Sequence, residues 1–280
     1  MSIKILIDSG SDLNESEAKN LGLNFIPMQI QFGDREYLDG IDLFGNKFFE
    51  LLEKSNDLPK TSLINYYRWN ETFEELTKDG SEVMAITLSS KLSGTYNAAL
   101  DASKNFNGVR VVDSLNATYG EAILGIYALE LVKKGLSLNA IIEELEEKKK
   151  DICVYAVIDT LKYLKKGGRI SATAAIAGTL LSVKVVIGVI NGEVQLINKV
   201  IGRKKGNSFI RSLVDSTNGI DYAMPYGLIY SGTDTTNLDN FKTDIKDITL
   251  NNHFPEHSLG CTIGTHIGPG AVGIVYFKKV

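Results

Sequence analysis

This sequence of 280 residues contains few cysteines and no excess of positive charge. The two cysteines, Cys153 and Cys261, lie in apolar runs that predict strands, without a CxxC or Cys/His spacing. We therefore expect buried, reduced core residues and predict no metal site. The 34 acidic residues outnumber the 30 basic ones, giving a formal net charge of −4. Nucleic-acid-binding proteins usually carry a clear basic excess, so we predict no such role.

Long apolar runs are also absent. No run approaches the length of a membrane-spanning helix, and residues 1–8 (MSIKILID) predict a short strand ending in a carboxylate rather than a signal peptide. We therefore expect a cytoplasmic protein. The length is sufficient for two domains, each with a core of its own.

Residues 86–99 contain the most informative pattern. An apolar strand (83–88) runs into hydroxyl residues, and a helix begins at about Gly94. The first N–H groups of a helix lack internal partners and lie at the positive end of its dipole, so together with the Ser93 hydroxyl they favour an anion. Ordinary capping by Ser89, Ser90 and Ser93 explains the same residues. The local pattern leaves both interpretations open.

Residues 1–150 alternate between predicted strands and helices, which is typical of a doubly wound domain. Two predicted strands end in the same dipeptide, Asp8-Ser9 and Asp113-Ser114. Open α/β sheets place their ligands at such carboxyl ends. Further predictions are a single strand at 24–30, a hydroxyl-bearing loop at 59–62, and a capping box formed by Asp12 and Glu15.

The pattern changes at about residue 151 and predicts antiparallel pairing. Asn191-Gly192 is a strong two-residue hairpin signal between apolar runs. The other predictions are a strand at 152–158, a short helix stopped by Gly167 and Gly168, an Ala-rich helix at 172–181, and final strands around Cys261 and at 272–277, which flank a glycine-rich turn containing His266.

Five separated motifs occur in order along the chain. They are Asp8-Ser9, Pro59-Lys60-Thr61-Ser62, Leu92-Ser93-Gly94-Thr95-Tyr96, Gly167-Gly168-Arg169-Ile170-Ser171 and Ile263-Gly264-Thr265-His266-Ile267-Gly268-Pro269-Gly270. Together they resemble the DegV family of bacterial fatty-acid-binding proteins over essentially the whole chain. The resemblance implies a two-domain α/β fold related to the dihydroxyacetone kinase substrate domain. Residues 1–150 would form a Rossmann-like parallel-sheet domain, and residues 151–280 an α/β mixed-sheet domain.

The resemblance also implies a lipid carrier rather than an enzyme. Such proteins bind a long-chain fatty acid, with the carboxylate between the domains and the tail in the C-terminal domain, and use no other cofactor. Carried over by motif, Thr61 and Ser93 would hold the carboxylate, with Ser62, the Gly94 N–H and His266 nearby. His266 would move a proton or stabilise phosphate; from its spacing alone, a structural histidine is the better interpretation.

The implied partner is a separate fatty acid kinase, whose acyl phosphate product feeds phospholipid synthesis; transient contact with a membrane surface is a further expectation. We hypothesise that Arg169 and Arg203, beside glycine-rich turns, guide this kinase or its phosphoryl donor. A solvated surface is the ordinary interpretation of such basic clusters. Two positions depart from the family pattern: Val185, where proline is frequent, and Ala122, where glycine is common.

Two other classes of function stay open. A serine hydrolase would use Ser93 as nucleophile, His266 as base and Asp8 or Asp113 as the orienting carboxylate, but the sequence lacks a GxSxG elbow around Ser93. A sensor of phosphate or another small molecule would use the same anion site.

Overall fold

A computed structural model describes residues 2–55, 58–170, 182–250 and 252–280. The Ala-rich helix predicted at 172–181 lies outside the described residues. The elements up to residue 150 are β1 (Ile3–Asp8), α1 (Glu15–Leu21), β2 (Asn24–Ile26), β3 (Gln29–Phe32), β4 (Arg35–Leu38), α2 (Gly45–Lys54), β5 (Lys60–Ser62), α3 (Tyr66–Thr77), β6 (Glu82–Thr87), α4 (Thr95–Ser103), β7 (Val109–Asp113), α5 (Tyr119–Lys133) and α6 (Leu138–Lys148).

The remaining elements are β8 (Ile152–Ile158), α7 (Lys162–Lys166), β9 (Val183–Ile190), β10 (Glu193–Ile201), α8 (Arg203–Ser216), β11 (Tyr226–Tyr230), α9 (Thr236–Asp244), α10 (Lys246–Thr249), β12 (Glu256–Ser258), α11 (Cys261–Ile267) and β13 (Val272–Phe277). Among the described residues, no helix is long and apolar enough to cross a membrane. The same residues contain no group of three His, Cys, Asp or Glu side chains arranged to hold a metal ion.

The first sheet is parallel, as predicted, with strand order β2-β1-β6-β7. Residues 5–7 of β1 and 83–86 of β6 are almost fully buried. Because both faces of these strands are covered, the runs are continuously apolar. The carboxyl ends of β1, β6 and β7 meet at one edge of the sheet.

Residues 24–32 differ from the predicted single strand. Pro27 has no N–H to donate to a ladder, and it separates β2, in the parallel sheet, from β3. β3 pairs with β4 and β5 in a separate antiparallel sheet. Residues 60–62, predicted as a loop, are therefore the short edge strand β5. This pairing fixes the position of Thr61 opposite Ile30.

The capping box at α1 was also predicted at the wrong residues. Asn14 and Glu17 form it: the Glu17 N–H donates to Asn14 Oδ1, and the Asn14 N–H donates to Glu17 Oε2, both at 2.9 Å. Asp12 has a left-handed backbone, with φ of 61°, and its carboxylate instead accepts the Gly260 N–H at 2.8 Å. A tertiary contact therefore takes the side chain that the local pattern assigned to the cap.

The second sheet is mixed, with strand order β10-β9-β8-β13-β11-β12. Among its described strands, β11 and β12 are the only parallel neighbours. Asn191 and Gly192 have φ values of 51° and 85° and form the predicted tight turn between β9 and β10. The α/β fold with one parallel and one mixed sheet agrees with the sequence prediction.

The segment around Cys261 was predicted as a strand and is the helix α11. Its first two N–H groups, of Cys261 and Thr262, donate to the two carboxylate oxygens of Asp39 at 2.9 and 2.8 Å. A carboxylate at a helix N-terminus satisfies unpaired donors and complements the dipole. This distant cap overrides the local β-branched pattern. Both cysteines are buried and free, as expected.

Helix α5 packs against strands of both sheets, β1 on one side and β8, β11 and β13 on the other. Most of its residues are buried, which explains why it is apolar around its whole circumference. One hydrophobic cluster joins the two sheets through this helix and includes Ile7 of β1, Ile123 of α5 and Val275 of β13. The division into domains at residue 150 stays a prediction.

Candidate ligand-binding site

A cavity of about 240 Å³ lies between the edge of the parallel sheet and one face of the mixed sheet. Strands β8 and β9 and the start of β10 supply much of its wall, and β5, the turn after β6 and helix α11 are among the elements that complete it. The lining is mainly apolar. Its aliphatic residues are Leu63, Leu88, Leu92, Ala117, Val154, Ala156, Leu164, Ile187, Val189, Val194, Ile229, Leu259, Ile263, Ile267 and Ala271.

All five predicted ligand-binding residues line this cavity. They are Thr61, Ser62, Ser93, Gly94 and His266, which come from β5, from the turn before α4 and from the last turn of α11. Contacts between Thr61 and His266 and between Thr95 and Ile64 bring these segments together at one part of a mainly apolar cavity. This arrangement suits a ligand with one polar group and a long apolar part.

His266 and Thr61 form the central polar contact of the site. His266 Nε2 lies 3.1 Å from Thr61 Oγ1. Burial, and secondarily the positive charge of Arg169, lower the pKa of His266 to about 4. The imidazole is therefore neutral at pH 7, and only one of its nitrogens carries a hydrogen.

The surroundings of His266 favour one direction for this hydrogen bond. Its Nδ1 is buried and has no hydrogen-bond partner among the described residues. An unsatisfied buried N–H donor is more costly than an unused lone pair. We therefore assign the hydrogen to Nε2, which donates to Thr61. The Thr61 hydroxyl hydrogen then remains available to a ligand in the cavity.

Gly167 makes room for this imidazole. A Cβ atom at Gly167 would lie 2.1 Å from His266 Nδ1, far inside van der Waals contact. The backbone of Gly167 is in the ordinary helical region, which any residue can adopt. A glycine is needed here because the imidazole occupies the space that a side chain would fill. The Gly167-Gly168-Arg169 motif thus supports the histidine through packing.

Ser93 is both a capping residue and part of the cavity wall. Its hydroxyl oxygen accepts the Thr95 N–H at 3.2 Å and lies 2.9 Å from Thr95 Oγ1, while Thr95 Oγ1 accepts the Ile64 N–H at 3.3 Å. The two interpretations left open by the sequence are therefore compatible. If Thr95 donates to Ser93, the Ser93 hydroxyl hydrogen is also available to a ligand in the cavity.

The other hydroxyls and carboxylates around this turn hold the backbone. Asp8 accepts the Gly10 and Leu88 N–H groups at 2.7 and 2.9 Å, and burial raises its pKa to about 7. Asp113 accepts the Ser90 N–H at 3.1 Å, and Ser89 donates to the Gly192 carbonyl at 2.8 Å. The paired Asp-Ser endings of β1 and β7 thus shape the loops beside the cavity.

These contacts bear on the hydrolase hypothesis. The Ser93 hydroxyl contacts Thr95, whereas His266 contacts Thr61. Neither Asp8 nor Asp113 hydrogen-bonds to the imidazole within the described part of the chain. The arrangement needed for a serine nucleophile, a base and an orienting carboxylate is therefore not assembled by these residues.

The two arginines singled out from the sequence have different environments. Arg169 lines the cavity, and its Nε and Nη1 donate to the Leu92 and Gly167 carbonyls at 3.1 and 2.6 Å. Arg203 pairs with Asp159, which also binds Lys184, and does not line the cavity.

Sequence reasoning missed the sheet residues that form the apolar wall and the carboxylates that hold α11. Asp12 and Asp39 accept the N–H groups of residues 260–262, so they fix the helix that carries His266. Burial is the first cause of the raised pKa of Asp39. The only sequence signal was the acidic character of Asp39 in a polar segment, which does not identify its partner.

Comparison with known proteins identifies the family. A family model described as "Uncharacterised protein, DegV family" matches residues 2–279. The chain belongs to the DegV family. A DegV domain-containing protein of Caldanaerobacter subterraneus subsp. tengcongensis is 34% identical over 280 residues, which cover 99% of each chain.

Two solved DegV structures are also similar. One is a DegV family protein from Thermus thermophilus described by its fatty acid binding, with 28% identity and a TM-score of 0.89. The other is DegV from Bacillus subtilis, described as a fatty acid binding protein, with 31% identity and a TM-score of 0.85. Each comparison covers 100% of both chains. The family resemblance inferred from the five motifs is confirmed.

Proposed function

We propose that this DegV protein binds a long-chain fatty acid in the cavity described above. The observation that carries the proposal is the convergence of Thr61, Ser93 and His266 at one part of a mainly apolar cavity. The carboxylate accepts hydrogens from the Thr61 and Ser93 hydroxyls, near Ser62 and the Gly94 N–H, and the tail lies along the apolar wall. The fatty acid binding described for the proteins of Thermus thermophilus and Bacillus subtilis supports this proposal.

The apolar tail supplies most of the binding energy. Burial of each methylene contributes about 0.8 kcal/mol, so a chain of palmitate length contributes on the order of 10 kcal/mol before the cost of association. The hydroxyls contribute a smaller part of the affinity and determine where the carboxylate lies. We propose that residues 1–150 and 151–280 are two domains and that the cavity lies between them.

We further propose that the bound fatty acid is presented to a separate kinase. A carboxylate oxygen forms a bond to the terminal phosphorus of the kinase's nucleoside triphosphate, and the bond to the nucleoside diphosphate breaks. Thr61 and Ser93 hold the carboxylate without a paired cation, so an oxygen stays nucleophilic. The acyl phosphate would feed phospholipid synthesis in the cytoplasm, after transient contact with a membrane surface. On this proposal the protein is a carrier and not an enzyme.

Arg169 and Arg203 are proposed to guide this kinase. Arg203 and Lys184 together exceed the charge of their shared partner Asp159, which leaves a local positive charge. Arg203→Gln is expected to lower kinase-coupled turnover and to leave lipid binding intact. Unchanged turnover would remove Arg203 from the proposal.

Extraction of the purified protein with organic solvent, followed by mass spectrometry, tests the ligand directly. Near-stoichiometric fatty acid supports the proposal. Its absence, together with ester hydrolysis that is lost in Ser93→Ala, would favour the hydrolase instead.

Paired ligands then test the assigned carboxylate contacts. Removing a hydrogen bond to a charged group costs about 1.5–3 kcal/mol, so Thr61→Val and Ser93→Ala should each weaken palmitate binding about tenfold or more. Binding of hexadecanol, which has the same tail without the carboxylate, should change little. Ser103→Ala, on the exposed side of α4, is the matched control. Equal losses for both ligands would refute the assigned contacts.

A further inference from the structure

A second cavity, with a volume of about 180 Å³, lies apart from the apolar one. Its lining comes from residues within 12–17, 39–46 and 257–260, near the starts of α1 and α2 and at β12. None of the described residues that line it also lines the apolar cavity. One water needs about 10–15 Å³ of such space, so this cavity has room for a small organic molecule.

The charged groups of this second cavity are negative. Asp12, Asp39 and Glu17 line it, and no Lys or Arg does so among the described residues. Burial is the main cause that holds the pKa of Asp12 well above its usual range, and the negative charges of Asp39 and Glu17 add to it. A cation beside Asp12 would offset these effects and favour the ionised carboxylate. We call this space the acidic cavity, and its charge favours a positively charged ligand.

Three side chains of the acidic cavity have a buried polar atom without a hydrogen-bond partner among the described residues. These atoms are Asp12 Oδ2, His257 Nε2 and Ser258 Oγ. Asp12 is only 7% exposed, and its other carboxylate oxygen accepts the Gly260 N–H at 2.8 Å. The Thr118 hydroxyl lacks a partner as well, so it does not satisfy Asp12 Oδ2. Buried polar groups are nearly always hydrogen-bonded, so unpartnered atoms of residues around one cavity indicate a ligand.

His257 offers this ligand a lone pair. Burial lowers the pKa of His257 to about 4, so the imidazole is neutral at pH 7. Its ring stacks on Tyr119 with the two centroids 3.6 Å apart, which holds the orientation of the imidazole. A buried N–H without an acceptor costs more than an unused lone pair, so we assign the hydrogen to Nδ1. Nε2 is then an acceptor, as are the oxygens of Asp12 and Ser258.

We propose that the acidic cavity binds a small primary amine in its protonated form, whose ammonium group donates to Asp12 Oδ2, His257 Nε2 and Ser258 Oγ. An ammonium group has three N–H donors and no acceptor, so it matches these atoms in charge and in number. Phe44, which is 48% exposed, also lines the cavity and offers an apolar surface to the alkyl chain.

The three acceptor atoms are shielded from solvent in this structure. Binding therefore requires side-chain rotations of the kind that accompany many complexes. The proposal does not depend on the binding of a fatty acid, because the two cavities share no lining residue among those described.

An NMR titration of the purified protein with butylamine, which is protonated at neutral pH, tests the site. Two further probes each lack one property: butan-1-ol has the chain without the charge, and tetramethylammonium has the charge without an N–H group. The variants are Asp12→Asn and Ser258→Ala. Asparagine tolerates the left-handed backbone of residue 12 and keeps an oxygen for the Gly260 N–H. Glu15→Gln, which removes a negative charge from the exposed start of α1, is the matched control.

We expect butylamine to bind and to shift the amide resonances of residues 257–260, and both other probes to bind at least about tenfold more weakly. Asp12→Asn and Ser258→Ala should each weaken butylamine binding about tenfold or more, and Glu15→Gln less than about twofold. If Asp12→Asn does not fold, the result for Ser258→Ala decides.

Several results would overturn the proposal. They are absence of butylamine binding, equal affinity for butan-1-ol, and unchanged affinity in the folded variants of Asp12 and Ser258. Titration with Mg²⁺ gives a further outcome: a metal ion that shifts the resonances of residues 257–260 while butylamine does not would also contradict an amine site.

Discussion

Gly167→Ala tests the packing that holds His266 in the site. The new Cβ would lie 2.1 Å from His266 Nδ1, whereas real Cβ contacts stay beyond 3.0 Å. The imidazole must therefore move by about an ångström, and overpacking of this kind costs about 1–3 kcal/mol. The shift also breaks the hydrogen bond to Thr61, which contributes about 1 kcal/mol. We expect Gly167→Ala to lower the free energy of unfolding by about 2–4 kcal/mol.

A double-mutant cycle shows whether the histidine is the cause. In a His266→Ala background the clash disappears, and an alanine at this ordinary helical conformation should be neutral or stabilising by about 0.4–1 kcal/mol. Urea unfolding followed by circular dichroism measures all four proteins. Gly168→Ala is the matched control: its φ of 67° adds strain, but no atom lies within 4 Å, so its cost should be the same in both backgrounds. An equal cost of Gly167→Ala in both backgrounds would refute the reasoning.

Three further predictions concern stability. Asp39→Asn removes a charged acceptor from the first two N–H groups of α11, and we expect a loss of about 2 kcal/mol in urea unfolding; an unchanged midpoint would contradict this cap. The pKa of His257 is lowered to about 4 by burial, so the folded protein binds fewer protons than the unfolded chain between pH 6.5 and 4, and stability falls as pH drops through that window. The raised pKa of Asp8 acts in the opposite direction, so the test compares wild type with His257→Gln. As pH drops through this window, the free energy of unfolding of His257→Gln should fall by up to about 3 kcal/mol less than that of wild type. Parallel pH profiles of the two proteins would contradict this prediction. Gly192 has a φ of 85°, and a Cβ at this position would lie 2.6 Å from Ser89 Oγ. Gly192→Ala should therefore lower the midpoint of thermal unfolding by several degrees. An unchanged midpoint would argue against this packing.

The fold could be predicted largely where the signal is local. The continuous apolar run of β1 and the Asn191-Gly192 turn follow from burial and backbone conformation, and both are confirmed. Helix α11 was predicted as a strand because its own residues favour one. What decides its conformation is Asp39, which is distant in sequence and caps its first N–H groups. A local pattern contains no information about such a partner.

The site shows the same limit. Residue chemistry alone left Ser93 between a helix cap and an anion contact, and the structure shows why: its oxygen caps α4 while the residue lines the cavity. The family motifs led to Thr61 and His266, which the fold brings to hydrogen-bond distance. The space that Gly167 leaves for the imidazole depends on the packing of two separate segments. That dependence is visible only in the folded chain.

A crystal structure of the protein with palmitate tests the central claim most directly. The account predicts the tail in the apolar cavity and the carboxylate oxygens within about 2.5–3.2 Å of Thr61 Oγ1 and Ser93 Oγ, with His266 Nε2 still bonded to Thr61. A palmitate bound with its carboxylate away from these two hydroxyls, or outside the cavity, would contradict it.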